Sequence, residues 1–204
     1  LVLLMQKGRC QLDDYVADHL SECASTCIGS ATIRHLLTHS SGLPGWRGFY
    51  EQVRPDGAIS SSAGEREQAK RAMLHLIQSE APVYERGTRS LYSDLGFMVL
   101  GFIIERISGQ SMSEYFLDHI VCPLGKPQVG FILPGQHRAL PNRLDADMGG
   151  IAPTEIDRWR GHLLCGEVHD QNAAALGGEA GHAGLFGTVD AVLAISGEWL
   201  GAYH

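Results

Sequence analysis

Apolar residues recur at helical spacing in several stretches of the chain, separated by segments rich in Gly, Pro and Ser. The chain opens on Leu1-Val2-Leu3-Leu4-Met5, the end of an apolar helix that Gly8 closes in the C′ position. Asp13-Asp14 offers an N-cap for a short turn through Leu20. Thr32 caps a second helix that turns Ile33, Leu36 and Leu37 inward; it ends at Ser40-Ser41-Gly42, and Pro44 bars continuation. Residues 45–64 read as a long irregular loop, the kind of segment that tends to carry function. Residues 65–79 predict an amphipathic helix, with Ala69, Ala72, Met73, Leu76 and Ile77 on one face and an i,i+4 pair, Glu67 and Arg71, on another. A helix over 94–107 is apolar nearly all round, with Leu95, Met98, Val99, Phe102 and Ile103 on one side and Phe97, Leu100 and Ile104 on the other. That pattern belongs at the centre of a fold. Ser108-Gly109 stops it, and Ser111 with Glu114 predicts a capping box for a helix to about Val121, halted by Pro123. Beyond Lys126 the pattern weakens to one strand candidate at 129–133. A last helix over 189–200, capped by Thr188, then turns Val192, Leu193, Ile195, Trp199 and Leu200 inward.

Composition narrows the function classes. With 204 residues and 44% hydrophobic side chains the chain can bury a genuine core. No apolar run approaches the ~20 residues needed to span a bilayer. The formal charge is −7, and Lys7, Lys70 and Lys126 form no basic patch, which argues against a nucleic-acid partner held by phosphate contacts. The 25 glycines point to many turns between short elements. The 5 cysteines are odd in number, and no second Cys/His pair follows Cys23 and Cys27 at zinc spacing, so they read as small, semi-buried residues. There is no phosphate-cradling glycine loop, no Gly-x-Ser-x-Gly elbow and no His-Glu-x-x-His, and no cofactor is implied. The opening in mid-pattern, without an initiator Met or a signal peptide, leads us to expect a piece of something longer.

The candidate chemistry is sparse. His35 and His39 are four apart on a predicted helix, a spacing that can hold zinc, but no third ligand is apparent; His39 equally suits the closing of the helix C-terminus. Asp145 and Asp147 lie in a Gly-rich stretch and read as a solvated loop. Tyr92-Ser93-Asp94 stands at the junction of a loop and the buried helix. One reading is a packed tyrosine and a helix cap; the other is a tyrosine facing a cleft, able to act as a general base where nearby cations lower its pKa.

A resemblance bears on that choice. Ile33-Arg34-His35-Leu36-Leu37-Thr38-His39-Ser40-Ser41-Gly42-Leu43-Pro44 resembles the "LLTHTSGLP" signature of class C β-lactamase-related serine hydrolases, a group that includes penicillin-binding-protein-like DD-peptidases and esterases. Gly8 and Leu12-Asp13-Asp14 resemble the segment just after that family's nucleophile helix. Tyr92-Ser93-Asp94-Leu95-Gly96-Phe97 is similar to its Tyr-x-Asn element and helix, and Pro123-Leu124-Gly125 to its "PLG". Val168-His169-Asp170-Gln171-Asn172-Ala173 and Gly181-His182-Ala183-Gly184-Leu185-Phe186 are similar to a branch carrying "VHDENA" and "GHAGLF". The likeness runs in order over nearly the whole chain.

The resemblance implies an α+β, β-lactamase/transpeptidase-like fold, of which residues 1–204 would be a partial domain dominated by the helical region. It lacks the nucleophile segment and the C-terminal strands. It implies acyl transfer from an ester or amide (β-lactam, D-Ala-D-Ala peptide or carboxylester) through the Ser of Ser-x-x-Lys, with Lys and Tyr moving protons and a Lys/His-Thr-Gly strand orienting substrate. Tyr92 would be the proton-transfer residue. Asp94 would replace the substrate-contacting Asn, putting an acceptor-only carboxylate where an amide also donates. No serine has a lysine three positions later, so the chain alone is expected to be inactive. His182-Ala183-Gly184 is not expected to substitute for the third motif, because it is followed by Thr188 and a helix with no strand partner. Ser93, His169, Asp170 and His182 are expected near the cleft in structural roles. The implied partner is a small-molecule or peptidoglycan-type substrate, and the implied location is a bacterial cell envelope or periplasm, with the cytoplasm left open; the oligomeric state is not legible. The alternatives are a non-catalytic relative that binds cell-wall peptide and, last, a helical zinc protein built on His35 and His39.

Overall fold

The computed structural model describes residues 1–57, 59, 62–125, 128–134 and 150–203. Short helices α1 (Val2–Gln6), α2 (Val16–His19), α3 (Ile33–Leu37) and α4 (Tyr50–Val53) precede two long ones, α5 (Ala63–Gln78) and α6 (Asp94–Ser108). After them come α7 (Met112–Phe116), β1 (Val129–Phe131), β2 (Ile156–Asp157), β3 (His162–Leu163), α8 (Gln171–Ala175), β4 (Leu185–Gly187) and α9 (Val189–Tyr203). β1 pairs antiparallel with β4, Phe131 opposite Leu185, and β2 with β3. This is the helix-dominated α+β architecture that was expected.

The apolar pattern converges on α6. Leu95, Met98, Val99 and Ile103 are fully buried and share one core with Ile33 and Leu36 of α3 and Met73 and Ile77 of α5. Burying a side chain of this size is worth about 1.5–3 kcal/mol. Gly109, in the left-handed region at φ 74°, ends the helix. The 180–184 segment crosses α6 backbone to backbone: a Cβ on Gly181 would sit 2.0 Å from the Phe97 carbonyl oxygen. Only glycine permits that approach.

A half-buried charge cluster gathered on the buried Glu179 braces the outer side of α6. Lys70 Nζ donates to Glu105 at 2.6 Å and to Glu179 at 3.3 Å, and Arg66 Nε lies 3.9 Å from Glu179. The backbone N–H groups of Met112 and Ser113 donate to Glu105 and Glu179, each at 2.9 Å, and so fix the start of α7. Burial pushes the Glu105 carboxyl up from its ordinary range, against the opposing pull of Lys70. A second buried pair orders the β2–β3 turn: Arg160 Nη2 bonds Asp157 at 2.7 Å, with the two side chains 1% and 0% exposed. The same guanidinium donates to the carbonyls of Val168 and His169. Burial raises Asp157, but the Arg160 bonds outweigh it and hold the carboxyl below the usual range.

Several expectations are corrected. Asp13 and Asp14 do not cap the turn before Leu20: Tyr15 is the N-cap, its N–H bonded to Asp18, while Asp13 pairs with Arg34 and Asp14 with His19. The second helix ends at Leu37, where a left-handed His39 closes it, before Ser40 is reached. The 45–64 stretch contains α4, and α5 begins at Ala63, capped by Ser62. On α5, Leu74 is buried and Ala72 exposed, so the apolar face is rotated from the expected one. The helix after Ser111 widens into a π-turn at Leu117–Val121. Thr188 does cap α9, and Ile195 packs half-buried against a small cluster with the buried Ala191, but Val192, Leu193 and Leu200 are exposed rather than inward; the Trp199 side chain lies outside the described residues, as do Asp145 and Asp147. Cys27 and Cys122 are exposed rather than semi-buried. His182-Ala183-Gly184 is followed by a paired strand, β4, contrary to the expectation of none.

Two outcomes follow from the buried charges. Lys70→Met should cost roughly 3 kcal/mol by stranding Glu105, and adding Glu105→Gln should restore part of the loss, as read by urea unfolding. The depressed Asp157 carboxyl contributes stability that is fully present above the unfolded carboxyl value of about 3.9 and is lost as pH falls through its folded value. Asp157→Asn should therefore flatten the loss of stability below about pH 4 relative to the parent chain, measured as Tm against pH.

Candidate active site

Two loop segments, 38–45 and 83–94, are laced together by hydrogen bonds. Val83 N–H donates to the Gly42 carbonyl, Gly87 N–H to Ser40, Leu91 N–H to His39 and Asp94 N–H to Gly45, each at 2.9 Å. The Ser90 hydroxyl adds a bond to the Thr38 carbonyl at 2.9 Å. Gly42, at φ 88°, lets the seam close: a Cβ there would lie 2.9 Å from the Tyr84 carbonyl oxygen. The seam delivers Tyr92 and Asp94 to the N-terminus of α6.

Ser93 and His39 lock this junction. The buried Ser93 hydroxyl donates to the Pro44 carbonyl at 2.7 Å and accepts from Gly96 N–H at 3.3 Å, capping α6. Ser93 N–H donates to His39 Nδ1 at 3.1 Å, so the ring's remaining hydrogen sits on Nε2 in the neutral form. The His39 ring packs against Tyr92 at 4.7 Å and Phe97 at 4.9 Å, and its carbonyl accepts from the Tyr84 hydroxyl at 2.8 Å. His39 closes α3 through its backbone: His39 N–H bonds Leu36 O and Ser40 N–H bonds His35 O, a Schellman pattern with His39 left-handed at φ 55°.

This geometry removes the premise of the zinc reading. His39 lies past the helix end, so it does not share a helical face with His35, and His35 Nδ1 also accepts a backbone N–H, from Thr32 at 3.1 Å. Burial and the Arg86 guanidinium push the His35 imidazole down. Among the described residues no group of three or more His, Cys, Asp or Glu side chains is arranged to hold a metal ion.

Tyr92 is 68% exposed, beside the half-buried Asp94. The Asp94 charge, then burial, then a hydrogen bond to Asp94 and the more distant Asp170 all push the phenol upward. Its described surroundings therefore act opposite to the cation-lowered general base considered from sequence.

Asp170 and His182 also come together. Asp170 caps α8 through Ala173 N–H at 2.7 Å and accepts from His182 Nε2 at 2.8 Å. Burial raises Asp170, but the His182 and backbone bonds outweigh it and hold the carboxyl below the usual range. The His182 side chain is 3% exposed and its buried Nδ1 has no partner. Both residues line a cavity of about 620 Å³ whose walls include Phe131 and Phe186. His169 lines the same cavity, and its ring pairs with exposed Glu155 at 3.0 Å.

Asn172, fully buried, was not singled out from sequence. Its side chain accepts from Tyr50 N–H at 2.9 Å and donates to the Arg47 carbonyl at 2.8 Å, holding the 47–50 loop against α8. A polar residue at the head of a run of alanines was the available signal.

Comparison with known proteins agrees with this architecture. A family model described as Beta-lactamase matches residues 1–201. A protein of Escherichia coli K12 named "Putative D-alanyl-D-alanine carboxypeptidase" is 31% identical over 196 residues, covering 90% of this chain and 43% of that one. A Bacillus subtilis protein named N-acetylmuramyl-L-alanine amidase is 32% identical over 163 residues, covering 76% of this chain and 34% of that one. The chain thus spans less than half the length of these curated relatives. A class C β-lactamase from Rhodobacter sphaeroides shares the fold with a TM-score of 0.64 at 21% identity, covering 98% of this chain and 47% of that one.

The carboxylate pair around Tyr92 has a direct readout. Asp170→Asn should lower the pH at which Tyr92 ionises, followed by NMR of Cζ-labelled tyrosine, with Tyr92→Phe assigning the signal. An unchanged or raised midpoint would show that Asp170 does not act on the phenol.

Proposed function

This chain belongs to the Beta-lactamase family, and we propose that it forms part of a serine hydrolase that cleaves an ester or amide of cell-wall type through an acyl-enzyme. The observation that carries the reading is Tyr92, exposed on a backbone fixed by Ser93 and His39, with Asp94 beside it at the head of the buried helix. In the proposed cycle the serine Oγ bonds the carbonyl carbon as its proton is relayed through the lysine and Tyr92 to the departing amine or alcohol, whose bond to that carbon breaks; water then cleaves the acyl bond, its hydroxyl going to the acyl carbon and its other proton back to Oγ. Asp94 contacts substrate or the catalytic lysine as an acceptor. The relatives named as a D-alanyl-D-alanine carboxypeptidase and an N-acetylmuramyl-L-alanine amidase support an amide of the cell-wall peptide as substrate and the bacterial envelope as location. Residues 1–204 make up one partial domain in this reading, and the Ser-x-x-Lys pair absent from this sequence comes from a longer protein.

A non-catalytic relative that binds cell-wall peptide is the second reading. It is favoured by the carboxylates that surround Tyr92 and by Asp94 standing where the family pattern has Asn.

Fluorescent penicillin and fluorophosphonate labelling separates the two. The reading frame extended on both sides should give a protein labelled on one serine, with Tyr92→Phe slowing acylation about 10²–10⁴-fold, while this chain alone stays unlabelled. Stoichiometric labelling of this chain alone would overturn its assignment as a partial catalytic unit. An extended protein that binds cell-wall peptide without labelling would establish the binding relative.

A further inference from the structure

A row of aromatic rings that acyl transfer does not use begins directly after Gly45, whose backbone meets that of Tyr92 and Asp94. Trp46, Tyr50 and Trp159 follow one another with ring centroids 6.5 and 4.9 Å apart. The inner end is anchored, since Trp159 Nε1 donates to the Arg54 carbonyl at 3.2 Å. The middle is anchored by the buried Asn172 amide on Tyr50 N–H and Arg47 O. The outer end, Trp46, is 47% exposed and follows Gly45, whose carbonyl takes the Asp94 N–H at 2.9 Å. Trp46 therefore follows directly on the seam that presents Tyr92.

We propose that Trp46 is a stacking platform for the pyranose ring of an N-acetylhexosamine attached to the substrate's peptide. A flat, half-exposed indole on a fixed tether offers an apolar face at little cost in conformational entropy, and its N–H edge is polar. The C–H face of a pyranose is its complement, with hydroxyl and acetamido groups directed outward to a polar rim. That rim is present: the Tyr50 hydroxyl bonds Glu51 at 3.2 Å, and Arg47 is held at Glu80 at 3.2 Å. A peptide strand would instead need an open sheet edge or a groove to supply backbone partners; the aromatic row provides rings.

This inference rests on the cell-wall substrate of the proposed function, yet its test does not require catalysis. The chain has 3 tryptophans, so its indole N–H signals are few, and Trp46→Phe assigns the one at the rim. Titration with N-acetylmuramic acid should move that signal saturably with a millimolar Kd. The response should vanish in Trp46→Ala, and Trp46→Phe should retain weaker binding, followed on the shifted backbone amides. A folded Trp46→Ala variant, judged by unchanged thermal unfolding, that still binds the sugar would overturn the platform. So would a sugarless L-Ala-D-Glu peptide that moves the signal while the sugar leaves it still. In the extended protein, Trp46→Ala should raise the ratio of KM for a muramyl-peptide to KM for its sugarless counterpart about tenfold. Sugar binding without any acyl-enzyme would refute the hydrolase and leave the platform standing; acylation with no sugar response would do the reverse.

Discussion

The position of one buried hydroxyl sets the geometry of the rim. A helix begins with N–H groups that have no partner within it, and at α6 the Ser93 side chain takes one of them while giving its own hydrogen to the Pro44 carbonyl. The Ser93 backbone N–H is spent on the His39 ring. Each such bond contributes only about 1 kcal/mol net, but leaving a buried partner unmade costs about 1–3 kcal/mol. Sliding this junction by one residue would break all of these bonds together. That is why Tyr92, itself exposed, stands on a backbone with little freedom. His39 explains its own strain in the same terms. A non-glycine residue in the left-handed region costs about 1–2 kcal/mol, and glycine at that position would remove the acceptor for Ser93 and the ring between Tyr92 and Phe97.

The second anchor is the head of α8. Asp170 and Asn172, two residues apart, reach in different directions: the carboxylate to His182 and the helix N-terminus, the amide to the 47–50 loop. Satisfied polar groups of this kind specify a single arrangement, because any alternative leaves them unpaired in a low-dielectric interior. Glu179 plays the matching part on the far side of α6, where it gathers Lys70 and the start of α7. Between these anchors Gly181 allows the chain to lie directly on the α6 backbone at Phe97 and Gly101.

How much of this was legible depended on whether the signal was local. The core helix, the Ser111–Glu114 capping box of α7, the Thr32 and Thr188 caps and the stop at Gly109 were readable, because periodicity and capping are properties of a few consecutive residues. Tyr92 and Asp94 were found for the same reason, as a triplet at a helix start. Asp170 and His182 were named together only through a likeness of motifs, and their contact spans 12 positions. Asn172, Glu179 and the role of His39 were not legible, since their partners are 122, 109 and 54 positions away. The apolar stripe of the last helix shows the converse failure. A 3.6-residue period identifies a face, but it does not say whether the described residues cover it, and Val192, Leu193 and Leu200 are exposed.

Proton chemistry at Tyr92 follows from the same placement. Asp94 occupies the first turn of α6, where the helix dipole favours negative charge, and Asp170 adds a second carboxylate within electrostatic reach. A phenolate formed there would be one more negative charge on an already acidic rim, so loss of the phenolic proton is opposed unless a cation arrives at the same time. An amide in place of Asp94 would impose no such condition, because it is neutral and can turn its N–H toward an anion. The carboxylate therefore couples any base role of Tyr92 to a neighbouring ammonium or guanidinium. A lysine three residues after a nucleophilic serine would meet that demand, and without one the same rim favours a protonated, hydrogen-bond-donating tyrosine.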